Sequence, residues 1–554
     1  MINPLMRGRR RGVRLATLTT ASLAVGASLA VTLTTGAAAE TAGGKTALIP
    51  GDLLVSRVHY VGTADLITPG VTVLPTGGVA ISNGDFAHVW DNASVDSNFG
   101  VTAPIYLDQL SSDGQLVNSI AVPDGTPSAS SRGHDALMGS FSSKSELALN
   151  VSTGGSAVTF LGYVAPPNAL DVSNGNTPAV FDPTNPDAQS VYRAVAELDG
   201  NGKFRITQTN AYSGDNGRAA ILNEGANVYY TAGNSNNGAG TAVPGLIFGT
   251  GAQMITPANT PEDAQTTGDP TPVGGFSVTQ LPSITKADKL GKDTNFSAVA
   301  IQDNVLYYAK GSGSNGIDTV YFVDTTGTAC PQGVGLPVSG AALPTSADPF
   351  DPITGQPTDN MCVLAGFPTA LAKNVKTPEV GPATNSTAFG AMWFANPTTL
   401  YIADAGNGTD TFSDGTYTAA AAQNLAGIQK WSLVNGMWTY DYTLNAGLDL
   451  GMPYTVTGLP TGTNSITGRP WTPAVDGVRN LTGKTNADGT VTLYAATSAI
   501  GGVSDYGADP NKLVTITDTT TATALPTGEQ FTTLRTAAAG NIFRGVAFAP
   551  GSAH

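Results

Sequence analysis

Charge is what this 554-residue sequence has least of: Lys, Arg, Asp and Glu make up only 12% of it, about half the share of an ordinary globular protein. That shortage excludes coiled coils and helical bundles, whose exposed faces are built from Glu, Lys and Arg. Histidine is scarcer still. His59, His88, His134 and His554 are the only four, and no HExxH or other close pair of them occurs, so no helix-borne zinc motif is present. Two cysteines, Cys330 and Cys362, are too few for a thiolate metal centre. A GxSxG nucleophile elbow is missing, and the glycine run GSGSNG at 311–316 lacks the Lys-Ser/Thr ending of a phosphate loop. Nothing points to haem, flavin or nicotinamide. Beyond residue 40, no segment keeps helical periodicity for several turns. What the chain does have is 67 glycines and 41% apolar residues. The apolar content excludes wholesale disorder, and prominent Thr, Asn, Gly and Val suit short strands and tight turns.

The N-terminal segment has a composition of its own. Arg7, Arg9, Arg10, Arg11 and Arg14 precede a mostly apolar run from Leu15 to Leu33, and Ala37 and Ala39 satisfy the small-x-small rule for cleavage. Residues 1–39 therefore read as a signal peptide, which leaves residues 40–554 as the mature chain. Removal takes away five arginines and no acid, so 21 basic residues face 41 acidic ones. Such a surface repels nucleic acid and anionic membranes. FAPGSAH at the C-terminal end has no apolar tail, and no membrane span is expected in the mature chain. In an oxidising compartment, Cys330 and Cys362 are expected to pair. The closed loop would contribute roughly 3–4 kcal/mol by chain entropy.

Short strands with turn residues between them recur along the rest of the chain, and they recur in pairs. FSAVAIQDNVLYYAKG at 296–311 is a strand, a polar turn and a second strand ending in small residues. FGAMWFANPTTLYIADAG at 389–406, GRAAILNEGANVYYTAG at 217–233 and GVRNLTGKTNADGTVTLYAATS at 477–498 follow the same order, and ELALNVSTGGSAVTFLGY at 146–163 is a divergent version. FRGVAFAP at 543–550 supplies only the first half. Anchors at Leu149, Ala220, Val299, Ala391, Arg479 and Gly545 fall 66–92 residues apart, and a further unit is read around Val79–Phe86. This spacing predicts an all-β fold, a single β-propeller domain of seven blades over residues 40–554 with long inter-strand insertions. The half-unit at the C-terminal end is expected to join Leu53–Tyr60 in one sheet and so close the ring. GIQKWSLVNGMWTYDYTL at 427–444 reads as a hairpin turned at Asn435-Gly436, with Trp431 and Trp438 packed between neighbouring blades.

LYIADAGNG, GIQKWSLVNGMW, VTLYAAT, LVTITDT and FRGVAFAP also resemble the recurring phrases of a secreted bacterial β-propeller family that is generally without an assigned activity. The resemblance runs discontinuously from about residue 52 to 550 and carries no catalytic signature. It implies a shorter connection than the one found at Ala405–Leu425, so loop function would differ from that of relatives.

Candidate chemistry is thin. His134-Asp135, within SSRGHDALMGSFSSKS, is the one place where His, Asp and several Ser residues crowd together. Neighbours on a strand point to opposite faces, so the pair is not by itself a catalytic relay. Asp404, Asn407, Asp410 and Asp414 offer the oxygen ligands that calcium accepts, as do Asp199 and Asn201 in DGNGK. Neither stretch has the full EF-hand spacing, and Asp and Asn also build turns without an ion. The reading that needs least chemistry is a secreted extracellular binding or interaction module of unknown ligand, its partner an extracellular protein or glycan. An extracellular hydrolase acting on a glycan or ester, and a structural cell-envelope protein, are the alternatives. Whether any catalysis occurs stays open at this level.

Overall fold

The computed structural model describes residues 47–125, 136–141, 147–182, 185–234, 249–257, 274–282, 294–311, 316–346, 359–371, 388–503 and 507–552. Strands dominate these residues. The one α-helix among them is the single turn Thr418–Ala421.

Six inner strands organise the molecule: β1 (Asn150–Val151), β2 (Gly217–Asn223), β3 (Phe296–Gln302), β4 (Phe389–Asn396), β5 (Ala474–Thr485) and β6 (Asn541–Phe548). Each starts a four-stranded antiparallel unit. From β1 the order runs to Ala157–Val164, Arg193–Asp199 and Phe204–Thr209, and from β2 to Val228–Gly233, Ala252–Ile255 and Gly274–Val278. β3 leads to Val305–Lys310, Thr319–Val323 and Asp359–Leu364; β4 to Thr399–Asp404, Gly427–Val434 and Met437–Leu444; β5 to Thr490–Ile500, Lys512–Thr519 and Thr532–Thr536. β6 pairs antiparallel with Leu53–His59, in register from Leu53 opposite Phe548 to His59 opposite Asn541, and Val101–Leu110 and Leu116–Ala121 follow outward. Leu137–Phe141 bridges two units into a nine-stranded sheet, and a parallel pairing of outer strands joins the β2 and β3 units into another.

Local chemistry explains the hairpins. Asp303 and Asn304 both take positive φ (49° and 59°), as do Asn435 and Gly436 (50° and 78°). Two consecutive left-handed residues match the twist of the flanking strands, and Asn, Asp and Gly reach that region at least cost. The Asn435-Gly436 turn expected from sequence is therefore present.

Each inner strand touches the next, from β1 through β6, and β6 touches β1 again, so contact between them is circular. The approach is close. A Cβ on Gly390 of β4 would lie 2.4 Å from the Arg479 carbonyl oxygen on β5, and one on Gly545 of β6 would lie 2.3 Å from that of Leu147 beside β1. Side chains satisfy backbone groups across these seams. Ser56 Oγ donates to Leu147 O at 2.8 Å and accepts from Gly545 N at 2.7 Å. Asn150 Nδ2 donates to Ala220 O at 3.0 Å, Asn480 Oδ1 accepts from Val546 N at 2.8 Å, and Ser297 Oγ donates to Phe389 O.

The six anchors each lie on, or directly before, one inner strand. The seventh unit does not form. Val79–Phe86 holds no strand; Val79 makes an isolated bridge with Val73, and the amides of Ile81 and Ser82 donate to Asn92 Oδ1 at 2.9 and 3.1 Å. Those amides are satisfied by a side chain, so no ladder is required there. The described residues thus hold six units instead of seven. Trp431 and Trp438 are both buried, as expected: Trp431 stacks on Phe367 with ring centroids 4.3 Å apart. Cys330 and Cys362 form a disulfide with Cα atoms 6.0 Å apart. It ties the insertion after Val323 to the strand Asp359–Leu364.

Ser56→Ala leaves the Leu147 carbonyl and the Gly545 amide unpaired in a buried seam, and is expected to cost about 1–3 kcal/mol. Urea unfolding checks this: the midpoint should fall with an unchanged slope. A loss under about 0.5 kcal/mol would mean that the seam does not depend on this hydroxyl.

Candidate functional site

The far ends of all six inner strands surround one recess of about 690 Å³. β1 and the turn after it supply Asn150, Ser152 and Thr153, and β2 supplies Asn223. The end of β3 and its hairpin contribute Gln302, Asp303 and Asn304; β4 brings Met392 and Trp393, and β5 brings Thr482. Amides and hydroxyls share this wall with apolar side chains, among them Ile221, Ile301, Leu343, Phe394 and Leu481. Among its lining residues Asp303 is the one ionisable side chain.

Several of these groups are held in place. Asn150 is fixed by Ala220 O, and Asn223 Nδ2 donates to Tyr230 Oη at 2.9 Å. Thr153 Oγ1 accepts from Glu224 N at 3.0 Å. Partial burial works against the Glu224 charge, but hydrogen bonds from Ser152 and from the amides of Ser156 and Gly154 hold its carboxyl below the usual range. Trp393 is half-buried, its six-membered ring lying over Gly483 of β5, where a Cβ would come within 2.8 Å of Cε3 and Cζ3. Glycine there leaves room for the Trp393 ring, which any side chain at this position would meet. Sequence reasoning missed this site, although a signal existed. Aligning the repeated pairs places N-V-S-T, L-N-E-G, I-Q-D-N and N-L-T-G at equivalent strand ends, and these converge if the strands form a circle.

At the opposite end of β5 a smaller recess of about 240 Å³ is lined by Ala405–Gly408, Asp476, Arg479 and Ser498, with further contributions from Ala499 and Gly507. The calcium candidates lie around it without gathering. Asp404 is buried; Oδ1 accepts from the amides of Gly406 (3.0 Å) and Ala388 (3.2 Å), and Oδ2 from Gln429 Nε2 (2.8 Å). Asn407 donates its amide to Gln423 Oε1 and accepts from Thr409 N, each at 2.8 Å. Asp410 pairs with Arg469. Asp414 is exposed, at φ 52°, in the small hairpin between Phe412–Ser413 and Thr416–Tyr417. Asp199 Oδ1 accepts from the amides of Asn201 and Lys203 at 2.9 and 2.8 Å, which closes a hairpin. Among the described residues, the only three His, Cys, Asp or Glu whose ligand atoms meet within 4.8 Å are Asp324, Cys330 and Cys362, and both sulfurs belong to the disulfide. His134 and Asp135 lie outside the described residues.

Burial pushes the Asp404 carboxyl up to about 7, and the charges of Asp318 and Asp476 add to it against the two amide hydrogen bonds. Burial likewise raises Asp476 to about 6, opposed by Gly408 N and Gln423. These carboxylates act as staples for the Ala405–Leu425 loop.

No protein-family model and no curated protein matches the chain. Among solved structures, it is similar to a chain from the complex of a variant S. cerevisiae Dbp5 with Nup159, a Gle1 variant, IP6 and ADP. The identity is 8%, with 90% of this chain and 97% of that chain covered, at a TM-score of 0.27.

Asp404 and Asp476 bind protons more tightly folded than unfolded, since both sit above the unfolded value near 4. Their contribution is full below that value and is lost as pH rises through about 6 to 7. Unfolding free energy should therefore fall between pH 5 and 7, and the fall should be shallower in Asp476→Asn. Urea titrations at stepped pH test this; equal slopes in both proteins would remove the assignment.

Proposed function

We propose that the six units are the blades of a β-propeller, and that the protein is a secreted binding module taking an uncharged, polyhydroxylated ligand, a glycan, in the recess at the inner-strand ends. The observation that carries this reading is the mixed lining: side-chain amides and hydroxyls set among apolar side chains, a half-buried indole, and one carboxylate. Sugar hydroxyls both donate and accept, and side-chain amides and hydroxyls answer both roles. An aromatic face beside them covers the apolar C–H surface of a sugar ring. A recess of about 690 Å³ suits a mono- to trisaccharide-sized guest. Rigid strand ends around the recess hold the polar groups in place before binding, which lowers the entropic cost of association.

Secretion is supported by the basic start, the apolar run Leu15–Leu33 and the Ala37-x-Ala39 exit. The Cys330–Cys362 disulfide is compatible with an oxidising destination. No helix among the described residues is long and apolar enough to cross a membrane. The acidic excess of the chain opposes polyanionic ligands and leaves neutral glycans unaffected.

Neutral oligosaccharides of the cello-, chito-, manno- and xylo- series, titrated by calorimetry and tryptophan fluorescence, test the reading. At least one series should bind, and Trp393→Ala should weaken it about tenfold or more, as loss of a central aromatic contact does. Equal affinity in Trp393→Ala would move the ligand elsewhere. No binding by any series at millimolar concentration would end the glycan reading.

A further inference from the structure

Away from both recesses, a lysine and an aspartate meet with no access to solvent. Lys430 Nζ lies 3.1 Å from Asp518 Oδ2, and neither side chain is exposed. Lys430 belongs to Gly427–Val434, the third strand of the β4 unit, and Asp518 to Lys512–Thr519, the third strand of the β5 unit. The two therefore face each other across a seam between units, not within one sheet. Tyr442 and Tyr401, both of the β4 unit, donate to Asp518 Oδ1 (2.6 Å) and Oδ2 respectively. Lys430 Nζ also donates to Tyr442 Oη at 2.9 Å and to Thr519 O at 2.6 Å.

A second carboxyl completes the group. Glu529 Oε1 accepts from the amide (3.3 Å) and the hydroxyl (3.4 Å) of Thr519, the residue that follows Asp518 and whose carbonyl receives the Lys430 ammonium. Glu529 Oε2 is buried and has no hydrogen-bond partner. Burial, then the Asp518 carboxyl, raises Glu529 to about 7, so about half of the molecules carry a proton there at neutral pH. An amine, a carboxyl held by two phenols, and a second carboxyl able to give and take a proton thus share one dry site.

We propose that Lys430 and Asp518 condense within the folded chain to an isopeptide bond, with Glu529 as the proton carrier. Burial disfavours the two charges, and passage of one proton from Nζ to the Asp518 carboxylate leaves a neutral amine beside a neutral acid. The neutral amine is the nucleophile. Nζ attacks Cγ, a C–N bond forms, and the Tyr401 and Tyr442 hydroxyls already on the two Asp518 oxygens stabilise the negative charge that develops there. Glu529 gives its proton to the departing oxygen and regains one from the nitrogen; the C–O bond breaks, and one water leaves. One ammonium and one carboxylate enter, one amide and one water result, and no oxidant or co-reactant takes part. Two strands hold the reacting groups in contact, which removes the entropic barrier of a bimolecular condensation, and the exclusion of water opposes hydrolysis. The bond ties the β4 and β5 units covalently, where the ion pair alone adds little net stability.

Intact-mass spectrometry of the folded full-length chain, with its disulfide reduced before injection, tests this. The wild-type chain should weigh about 18 Da less than its sequence requires, the mass of one water. A tryptic digest should contain a branched peptide that joins the chain around Lys430 to the chain around Asp518. Lys430→Arg keeps a cation but has no amine able to condense, and should show full mass and no branch. Glu529→Gln should form the bond about a hundredfold more slowly or worse. A wild-type chain of full mass after days at neutral pH, cut normally by trypsin at Lys430, overturns the proposal. So does a loss of one water that persists in Lys430→Arg, because an Asp-Gly pair that closes to a succinimide releases water too. Glu529→Gln reacting at the wild-type rate overturns the role given to Glu529. If a variant does not fold, the wild-type digest decides by itself: a branched peptide supports the bond, and a free Lys430 ends it.

Discussion

The circle of inner strands depends on one pairing between the two ends of the chain, β6 with Leu53–His59. Every residue of β6 is buried, so without this partner its backbone groups would be hidden from water and unsatisfied. Ser56 sits at that junction and serves both neighbours, donating a hydrogen bond to Leu147 O beside β1 and accepting one from Gly545 N of β6. The close seams follow from it. Inner strands that come this near leave no space for side chains at Gly390 and Gly545, and too few ladder partners on the axial side, so Asn150, Ser297 and Asn480 perform at other seams what Ser56 does at the closure. A closed circle also removes the exposed strand edge that an open array would offer to other chains.

Farther from the axis, packing between units is mostly apolar, with polar contacts such as Tyr229 Oη donating to Glu197 Oε2 at 2.8 Å and a larger buried network at Lys430. Lys430 of the β4 unit is fully buried 3.1 Å from Asp518 of the β5 unit. It also donates to Tyr442 Oη at 2.9 Å and Thr519 O at 2.6 Å. Tyr442 and Tyr401 in turn donate to Asp518. Burial, reinforced by Asp518, pushes both phenols upward, so they stay protonated and available as donors. A buried pair of this kind adds little net stability over an apolar substitute, whereas removing one partner strands a charge. Its effect is therefore on which units may neighbour each other: a β4 unit lacking Lys430 does not match a β5 unit carrying Asp518. The circle gains order from such a lock as well as from chain connectivity.

Much of this architecture was legible because each unit repeats a strand, a turn and a strand in one stretch of chain, and that information is local. Leu149, Ala220, Val299, Ala391, Arg479 and Gly545 mark the inner strands, and Asn435-Gly436 marks a hairpin, because backbone geometry there follows from the residues themselves. The count of seven failed at Val79–Phe86, where alternating apolar residues resemble a strand but Asn92, ten residues on, captures the amides. That competition lies outside any local pattern. The recess was illegible for a related reason. Gln302, Thr482 and Asn150 are unremarkable strand-end residues in sequence, and become one surface only when strands more than three hundred residues apart meet. His134 and Asp135 drew notice because several Ser residues crowd around them in sequence, and both lie outside the described residues.

Acidic residues in this protein are divided by side-chain length. Asp91, Asp96, Asp108, Asp171, Asp187, Asp318, Asp404, Asp476, Asp509 and Asp518 are all buried, and no Glu is among the buried residues described. The short Asp side chain reaches backbone amides one to three residues away and can close a turn from inside it; Glu, with one more methylene and one more rotor to immobilise, does so at greater entropic cost. Asp404 illustrates the result, with two amides and one side-chain amide on its two oxygens. A chain with so few helices has many turns to close, and a chain with so few cations cannot neutralise the carboxylates that close them. Each buried Asp must then be stabilised by amide dipoles, as at Asp404 and Asp476, or by a cation, as at Asp108, where Arg57 lies 2.7 Å away. The loops are consequently most sensitive to pH and ions where neither form of compensation is complete, and the recess at the inner-strand ends, with Asp303 its single ionisable lining residue, has little of that sensitivity.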